Sequence, residues 1–231
     1  MVSRIASHYM DNLPEVDVAI LLPHPGDAEL LCGATVAKLT QAGKRVAILD
    51  LTGGEAGSFS RGSEKLDEAD RAAELLGVLW RGCIAFPDGR LEDTIMSRMT
   101  VTGEIKRLRP RVVVGMHWDD RHPDSLAASL LVENASSLAG LAQLDNYLPA
   151  HQPRRVVFAS GSVAAAPSFI VDVSNSFEQK IAAIRCYSTL FADADEAIAR
   201  ADREGRRFGE MIGVRYGEAF VQRSPLAGDL L

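Results

Sequence analysis

Two short segments that are rich in imidazole and carboxylate groups each follow an apolar run. Segment 24–27 reads His-Pro-Gly-Asp and follows the run 16–22, and segment 121–125 reads Arg-His-Pro-Asp-Ser and follows the run 112–116. Such runs are typical of strands buried in a parallel sheet, and ligands gather beyond the carboxyl ends of these strands. Side chains from two neighbouring strands can therefore converge on one metal ion, and the chemistry they favour is metal-assisted hydrolysis.

Compared with a catalytic zinc site, these segments lack two groups. Catalytic zinc usually takes three protein ligands and keeps one position for water, and His24 and Asp27 supply two ligands. The third should come from position 125, because the proline after His122 opens a helix that faces the first pair, but Ser125 offers only a hydroxyl. Hydrolysis of an amide also needs a carboxylate that accepts a proton from water. The position beside Asp27 holds Gly26, which has no side chain.

Composition limits the number of domains and the classes of partner. The chain has 231 residues, of which 47% are hydrophobic, and this predicts one domain over residues 1–231. Because the net charge is −6 with both signs mixed, we expect neither nucleic acid nor a membrane surface as a partner. The three cysteines are separated and lie in apolar stretches, as is typical of buried free thiols in a reducing compartment. Residues 1–14 contain no apolar segment of signal-peptide length, so we expect a cytoplasmic protein.

Apolar runs and helix signals alternate along the chain. Strands are predicted at 16–22, 45–51, 83–86, 111–116, 156–159 and 169–173, and helices at 28–42, 63–76, 94–108, 123–144, 174–190 and 195–211. This alternation predicts an α/β, Rossmann-like fold with a mostly parallel sheet and helices on both faces. The loop 52–62 contains four glycines and two serines, and loops at this edge of a sheet commonly bind substrate.

Further segments match one known family together with the two motifs. They are Gly33-Ala34-Thr35, Asp50-Leu51-Thr52, Arg71-Ala72-Ala73, Pro87-Asp88, Trp118-Asp119-Asp120 and 212–220. With them the chain resembles, over nearly its whole length, the LmbE-like (PIG-L superfamily) zinc-dependent N-acetylglucosaminyl deacetylases. The resemblance is greatest to the bacillithiol-pathway branch, which deacetylates N-acetylglucosaminyl malate. It implies the LmbE-like deacetylase fold, zinc as cofactor and a small amino-sugar ligand, and we also expect a homo-oligomer.

The resemblance implies a role for each motif residue. In that family the first motif reads His-Pro-Asp-Asp, whose histidine and second aspartate bind zinc and whose first aspartate is the general base. His24 and Asp27 match the zinc ligands, and Gly26 stands at the base position. The second motif reads His-Pro-Asp-His, whose first histidine stabilises the tetrahedral oxyanion and whose aspartate tunes that histidine. His122 and Asp124 match these two catalytic positions.

Two more positions differ from the family pattern. Ser125 replaces the last histidine of the second motif, which is the third zinc ligand in the family. Lys65 aligns with a substrate-binding arginine, so the charge is kept but the two-pronged guanidinium geometry is lost. His117, at the end of a predicted strand, is the candidate replacement ligand. With two matched ligands, we expect zinc to be bound weakly or not at all.

Three functions remain open on this basis. The first is a protein that binds an amino-sugar ligand in the family's cleft and has impaired catalysis. The second is an active zinc-dependent N-deacetylase that uses replacement residues such as His117. The third is a structural subunit that assembles with an active homologue. Without the resemblance, a turn with Asp27 as a helix cap would also explain the first motif.

Overall fold

One mostly parallel sheet organises the protein. The computed structural model describes residues 15–57, 62–119, 122–144, 148–160, 166–189 and 194–223. The strands are β1 (Val18–Leu22), β2 (Val46–Thr52), β3 (Trp80–Phe86), β4 (Val112–Met116), β5 (Arg155–Ser160), β6 (Phe169–Asp172) and β7 (Gly217–Val221). The helices are α1 (Asp27–Gln41), α2 (Gly62–Leu75), α3 (Ile95–Leu108), α4 (Pro123–Ala139), α5 (Phe177–Ile184) and α6 (Ala194–Ile212).

The strand order places the first motif at the centre of the sheet. The seven strands are arranged β3-β2-β1-β4-β5-β7-β6. Strands β1 to β5 pair in parallel, and β7 runs antiparallel to both β5 and β6. Helices α3 and α4 pack against each other, and α1, α2, α5 and α6 pack together as a second group. The sheet thus has a helical layer on each face, which confirms the predicted α/β, Rossmann-like fold.

The register of the central strands brings the two motifs together. Every residue of β1 and β2 is buried, as the continuous apolar runs predict for strands covered on both faces. Val18 pairs with Val46 on one side and with Val112 on the other. Because β1 and β4 are parallel neighbours, their carboxyl ends lie at the same edge of the sheet. The segments that follow them are therefore adjacent, although about a hundred residues of chain separate His24 from Asp124.

The structure differs from the predicted elements near the C-terminus. Strand β7 was not predicted, because only three apolar residues follow its glycine and glutamate. Helix α4 ends at Ala139 rather than at 144, since Gly140 forms its C-cap. Helix α5 spans only Phe177–Ile184 rather than 174–190. At its C-terminal side, residues 188 and 189 turn away because the Glu68 carboxylate accepts hydrogen bonds from both of their backbone N–H groups.

A buried carboxylate of β7 holds a kink in α1. Cys32 has φ −143° inside this helix, so the N–H groups that follow it lose helical partners. Glu218 accepts hydrogen bonds from the backbone N–H of Ala34 (3.1 Å) and of Thr35 (2.6 Å). The Lys180 ammonium donates to the same carboxylate at 2.7 Å, and both side chains are buried. Strand β7, which was not predicted, therefore supplies the hydrogen-bond acceptors at the kink inside α1, the helix that begins in the first motif.

The three cysteines differ in how far they are buried. In the described part of the chain the cysteines are free, but only Cys32 is fully buried, whereas Cys83 and Cys186 are half-buried. Burial nevertheless raises the pKa of Cys83 to about 12.

None of the described helices is both long and apolar enough to cross a membrane.

Candidate active site

The first motif forms a tight turn between β1 and α1. Gly26 is the N-cap of α1 and has φ 95°, a left-handed conformation that favours glycine. The turn is closed by the Asp27 N–H, which donates to the His24 carbonyl at 3.2 Å. In return, Asp27 Oδ2 accepts from the His24 backbone N–H at 2.9 Å and lies 3.2 Å from His24 Nδ1. The two predicted metal ligands therefore present their ligand atoms side by side.

The His24 ring contacts carboxylates on both of its nitrogens. Nε2 lies 3.2 Å from Asp124 Oδ2 and 3.1 Å from Asp88 Oδ1, whereas Nδ1 faces Asp27. A metal-binding histidine commonly donates its other N–H to a carboxylate, which fixes the tautomer and the ring orientation. Asp124 and Asp88 are placed to do this, so Nδ1 is the nitrogen that is oriented for a metal ion.

The second motif begins α4 and positions Asp124 beneath the first motif. His122 is the N-cap of α4, and its Nδ1 accepts from the Asp124 N–H at 3.2 Å. The Asp124 carboxylate accepts from the backbone N–H groups of Gly89 (2.7 Å) and Leu91 (3.1 Å). The His122 ring meets the His24 ring edge-on, with 4.9 Å between centroids. Asp124 is thus a fixed acceptor that orients His24, a role the family pattern did not indicate.

The charges around His24 favour its protonated form. Burial lowers the pKa of His24, but the surrounding carboxylates of Asp27, Asp88 and Asp124 outweigh it and raise that pKa to about 9. Burial alone would raise the pKa of Asp124, yet the N–H groups of Gly89 and Leu91, with His24, bring it below its ordinary value. The imidazole therefore carries a proton at neutral pH, and a metal ion that binds Nδ1 must displace it.

An open cleft of about 440 Å³ surrounds these groups, a volume within the range of small-molecule sites. Its floor includes His24, Asp27 and His122, with Gly26 and Ser125 among the lining residues. Ser125 is buried on α4, in the first turn of the helix. Helix α6 lines the opposite wall through residues 200, 201 and 204. Gly26, Ser125 and Lys65, the three positions that differ from the family pattern, therefore all line the cleft.

Lys65 contributes a buried cation to the same cleft. It lies on α2, is 2% exposed, and its ammonium donates to the Gly54 carbonyl. A Cβ atom at Gly57 would lie only 2.7 Å from Lys65 Nζ, so the glycine-rich loop leaves room for the ammonium. Residues 58–61 of the predicted substrate loop lie outside the described residues. The described part supports Lys65 as a cleft residue.

The residues at the cleft fit a divalent metal ion only in part. Two ligands of a tetrahedral zinc ion lie about 3.4 Å apart when each bond is about 2.1 Å, and the His24 and Asp27 ligand atoms match this. Where the third ligand belongs, Ser125 supplies only a hydroxyl. A second grouping of His24, His122 and Asp124 also exists among the described residues, with ligand atoms within 4.8 Å of one another.

Among the described residues, Asp88 lines the cleft and His117 does not. The described lining of the cleft includes Met116 and His122 but not His117, whose Nδ1 accepts from the Asp119 N–H at 3.0 Å. The His117 ring also stacks on Trp118, with 4.3 Å between centroids. Asp88 was not predicted as a site residue, although it lines the cleft and contacts His24. It follows β3, so the rule that polar groups gather at strand ends would have found it.

One known family covers about half of the chain. The family model described as GlcNAc-PI de-N-acetylase, PIG-L, matches residues 19–136, which include both motifs. The chain belongs to the PIG-L family. A curated relative, the diacetylchitobiose deacetylase of Thermococcus kodakarensis, is 31% identical over 224 residues, which cover 90% of this chain and 84% of that protein. PIG-L family members of this kind are hydrolases that act on N-acetyl groups.

Solved structures show the same PIG-L architecture. The conserved protein TT1542 from Thermus thermophilus superimposes with a TM-score of 0.89 and 37% identity, over 93% of this chain and 98% of that one. The N,N'-diacetylchitobiose deacetylase from Pyrococcus horikoshii, solved with its inhibitor MPG, gives a TM-score of 0.80 and 26% identity. That match covers 88% of this chain and 82% of the other chain.

Proposed function

We propose that this PIG-L family protein binds an amino-sugar ligand in the cleft but has impaired N-deacetylase activity. One observation carries the proposal: Gly26 and Ser125 both line the cleft, at the two positions where a base and a third metal ligand are needed. The surrounding residues His24, Asp27 and His122 are retained at that cleft. The protein thus has a binding site of the right architecture with an incomplete catalytic set.

The chemistry indicates how large the impairment is. A divalent metal ion, when bound by His24 and Asp27, would supply Lewis-acid activation of water and of the amide carbonyl. A missing general base typically reduces the rate by about 100- to 10,000-fold. A site with two protein ligands also holds metal more weakly than one with three. His122 at the cleft can still stabilise a developing oxyanion. The impaired step is therefore the removal of a proton from the attacking water.

The ligand class is inferred from the relatives and from the cleft. Two similar proteins are named as diacetylchitobiose deacetylases, whose substrate is an N-acetylated amino sugar. The buried Lys65 ammonium suits a hydroxyl, a carbonyl or an anionic group of such a ligand. The resemblance to the bacillithiol branch adds N-acetylglucosaminyl malate as a second candidate. Both compounds are therefore the ligands to test.

Restoring the two missing groups tests the proposal. We expect Gly26→Asp with Ser125→His to bind one zinc ion per chain and to raise amine release from N-acetyl sugars by about 100-fold or more. Each single substitution should do much less, because a ligand without a base and a base without a metal are both ineffective. The matched control is Gly26→Ala with Ser125→His, which restores the ligand and carries the same backbone strain but supplies no base.

Two outcomes would contradict the proposal. If the wild-type chain already releases amine as fast as the double variant, then catalysis is not impaired. If the double variant binds zinc firmly but neither it nor the wild type binds or hydrolyses diacetylchitobiose or N-acetylglucosaminyl malate, then the ligand is not an N-acetylated sugar of this class. Zinc content, ligand titration and amine release should be measured on the same preparations.

A second candidate function is an active hydrolase whose metal ion is bound by His24, His122 and Asp124. The grouping of these three side chains favours it. Against it, both carboxylate oxygens of Asp124 already accept backbone N–H groups, Oδ2 from Gly89 and Oδ1 from Leu91. Metal analysis of two variants separates the sites. In our proposal Asp27→Ala removes the residual metal and His122→Ala does not, whereas the second candidate predicts the reverse.

A further inference from the structure

A second cleft lies at the opposite end of the sheet from the candidate active site. It has a volume of about 430 Å³ and opens where the central parallel strands begin. Asp17 precedes β1, Arg45 precedes β2, Arg111 precedes β4 and Arg154 precedes β5, and all four line this cleft. Because the strands are parallel, residues that precede them meet at one edge, just as the motif residues meet at the other.

The cleft is basic in a protein that is acidic overall. Arg45, Arg109, Arg111 and Arg154 supply four guanidinium groups, against the two carboxylates of Glu15 and Asp17, which leaves a local charge of +2. The whole chain has a net charge of −6. A local excess of the opposite sign in a concave site concentrates anions, because the low-dielectric walls focus its field.

Two of the four arginines are not committed to a carboxylate. Arg109 Nε lies 2.8 Å from Glu15 Oε1, and Arg45 Nε lies 3.7 Å from Asp17 Oδ2. Within the residues that the structure describes, the exposed guanidinium groups of Arg111 and Arg154 make no side-chain hydrogen bond or ion pair. Their donors therefore remain available to a ligand, since each guanidinium carries five N–H groups.

The backbone around these arginines is fixed. The Arg154 N–H donates to the Arg111 carbonyl at 2.9 Å, which holds the two free arginines on neighbouring strands. His151 Nε2 lies 2.7 Å from the Pro110 carbonyl oxygen, and the His151 N–H donates to the Ala139 carbonyl. Arg109 has φ 49°, a left-handed conformation in which glycine is the usual residue. An arginine at this helix end keeps a further guanidinium at the cleft despite the backbone strain.

We propose that this basic cleft binds a small polyanion with two adjacent anionic groups, of which a diphosphate is the best chemical match. Paired guanidinium forks suit phosphate oxygens, because each fork can donate two parallel hydrogen bonds. The volume of about 430 Å³ suits a small molecule rather than a polymer. The net charge of −6 disfavours an extended nucleic acid, because the chain as a whole repels a polyanion.

Calorimetric titration of the full chain with inorganic pyrophosphate tests the proposal. The protein is first treated with EDTA and dialysed, so that a metal ion at the other end of the sheet does not attract the probe. We expect saturable binding at one site per chain that weakens as sodium chloride is raised. Inorganic phosphate and succinate, titrated in parallel, should bind more weakly, because the first has one anionic group and the second has no phosphate oxygens.

Substitutions locate the binding site. Arg111→Ala and Arg154→Ala should each weaken pyrophosphate binding by about ten-fold, and the double variant should show none. Arg111→Lys should restore part of the affinity, since it keeps the charge without the fork. Arg203→Ala, which removes an exposed arginine of α6, is the matched control and should bind as the wild type does.

The results that overturn the proposal are equally definite. If pyrophosphate does not bind the wild-type chain, or binds both alanine variants as tightly as the wild type, this cleft is not its site. If Lys65→Met rather than Arg111→Ala abolishes binding, the anion occupies the candidate active-site cleft. Because the arginines are exposed, melting temperatures of the arginine variants should equal that of the wild type, which excludes unfolding as a cause.

Discussion

The candidate active-site cleft and the buried polar network of Arg81, Glu29 and Asp50 differ in how their residues are partnered. In the cleft, Gly26 and Ser125 stand at the positions where the family resemblance predicts a base and a third metal ligand, and the turn and helix that carry them are intact. In the buried network, Arg81 donates to Glu29 at 2.6 Å and to both oxygens of Asp50 at 2.8 and 3.0 Å. Each member of that network is paired with another buried charge, whereas Gly26 and Ser125, although buried, line the cleft and have no charged partner to lose.

This difference shows what constrains each region. A residue that borders a cleft can change with little effect on folding, because water or a ligand fills the space. A buried charge cannot change alone, since its partner would be left without compensation in a low-dielectric interior. Glu29, beside the first motif, illustrates this, because its carboxylate binds Arg81 and also helps burial raise the pKa of Tyr187. Glu29 therefore supports the fold.

The largest effect is expected from Arg81→Met. Arg81 is 4% exposed, and its loss would leave the Glu29 and Asp50 carboxylates buried without their cation. We expect the free energy of unfolding to fall by about 4–5 kcal/mol, measured by urea denaturation. Arg185→Ala, which removes an exposed arginine that pairs with Asp195 at 3.6 Å, is the control and should cost less than about 0.5 kcal/mol. Equal losses in the two variants would refute the comparison.

A somewhat smaller effect is expected from Glu218→Gln. The glutamine leaves the Lys180 ammonium without its charge partner, and its amide NH2 group replaces one of the two oxygens that accept from the Ala34 and Thr35 N–H groups. We expect a loss of about 3 kcal/mol in the free energy of unfolding. Adding Lys180→Met should recover part of this loss, because it removes the uncompensated charge. If the double variant loses more free energy of unfolding than the two single variants lose together, the pairing is contradicted.

In the cleft, Gly26→Asp should have a modest cost in stability. Its φ of 95° is unfavourable for a residue with a Cβ atom, and such strain costs about 1–2 kcal/mol. Gly26→Ala should cost a similar amount, because the strain arises from Cβ and not from the carboxylate. Thermal denaturation of both variants measures the effect. If Gly26→Asp destabilises the protein as much as Arg81→Met does, then the cleft is as constrained as the network.

The smallest effect is expected from chelation. Two protein ligands hold metal weakly, and the buried strands β1 and β2 pack without it. Treatment with EDTA should therefore change the melting temperature by less than about 2 °C. The double variant Gly26→Asp with Ser125→His provides the contrast, because it should lose stability on chelation in proportion to its tighter metal binding. A large loss in the wild type would mean that a metal ion already stabilises the native cleft.

Some features of the site follow from the sequence alone. The apolar runs before His24 and His122 predict buried parallel strands, and the strand-end rule then predicts that the two motifs converge. The residue types at positions 26 and 125, set beside the family motifs, also predict that a base and a third metal ligand are absent. These features depend on local periodicity and on residue identity. The assignment of His117 as a replacement ligand stays a prediction, since the structure gives its ring other neighbours.

Only the tertiary structure decided which atoms meet. The sequence did not indicate that Asp124 and Asp88 would both contact His24 Nε2, or that Glu218 of an unpredicted strand would cap α1. Likewise, the basic cleft exists because residues before four separate strands are brought to one edge. Strand formation is governed by neighbours two to four residues apart, whereas these contacts join residues that packing alone brings within hydrogen-bonding distance. Their partners therefore become visible only when the sheet order and the register are known.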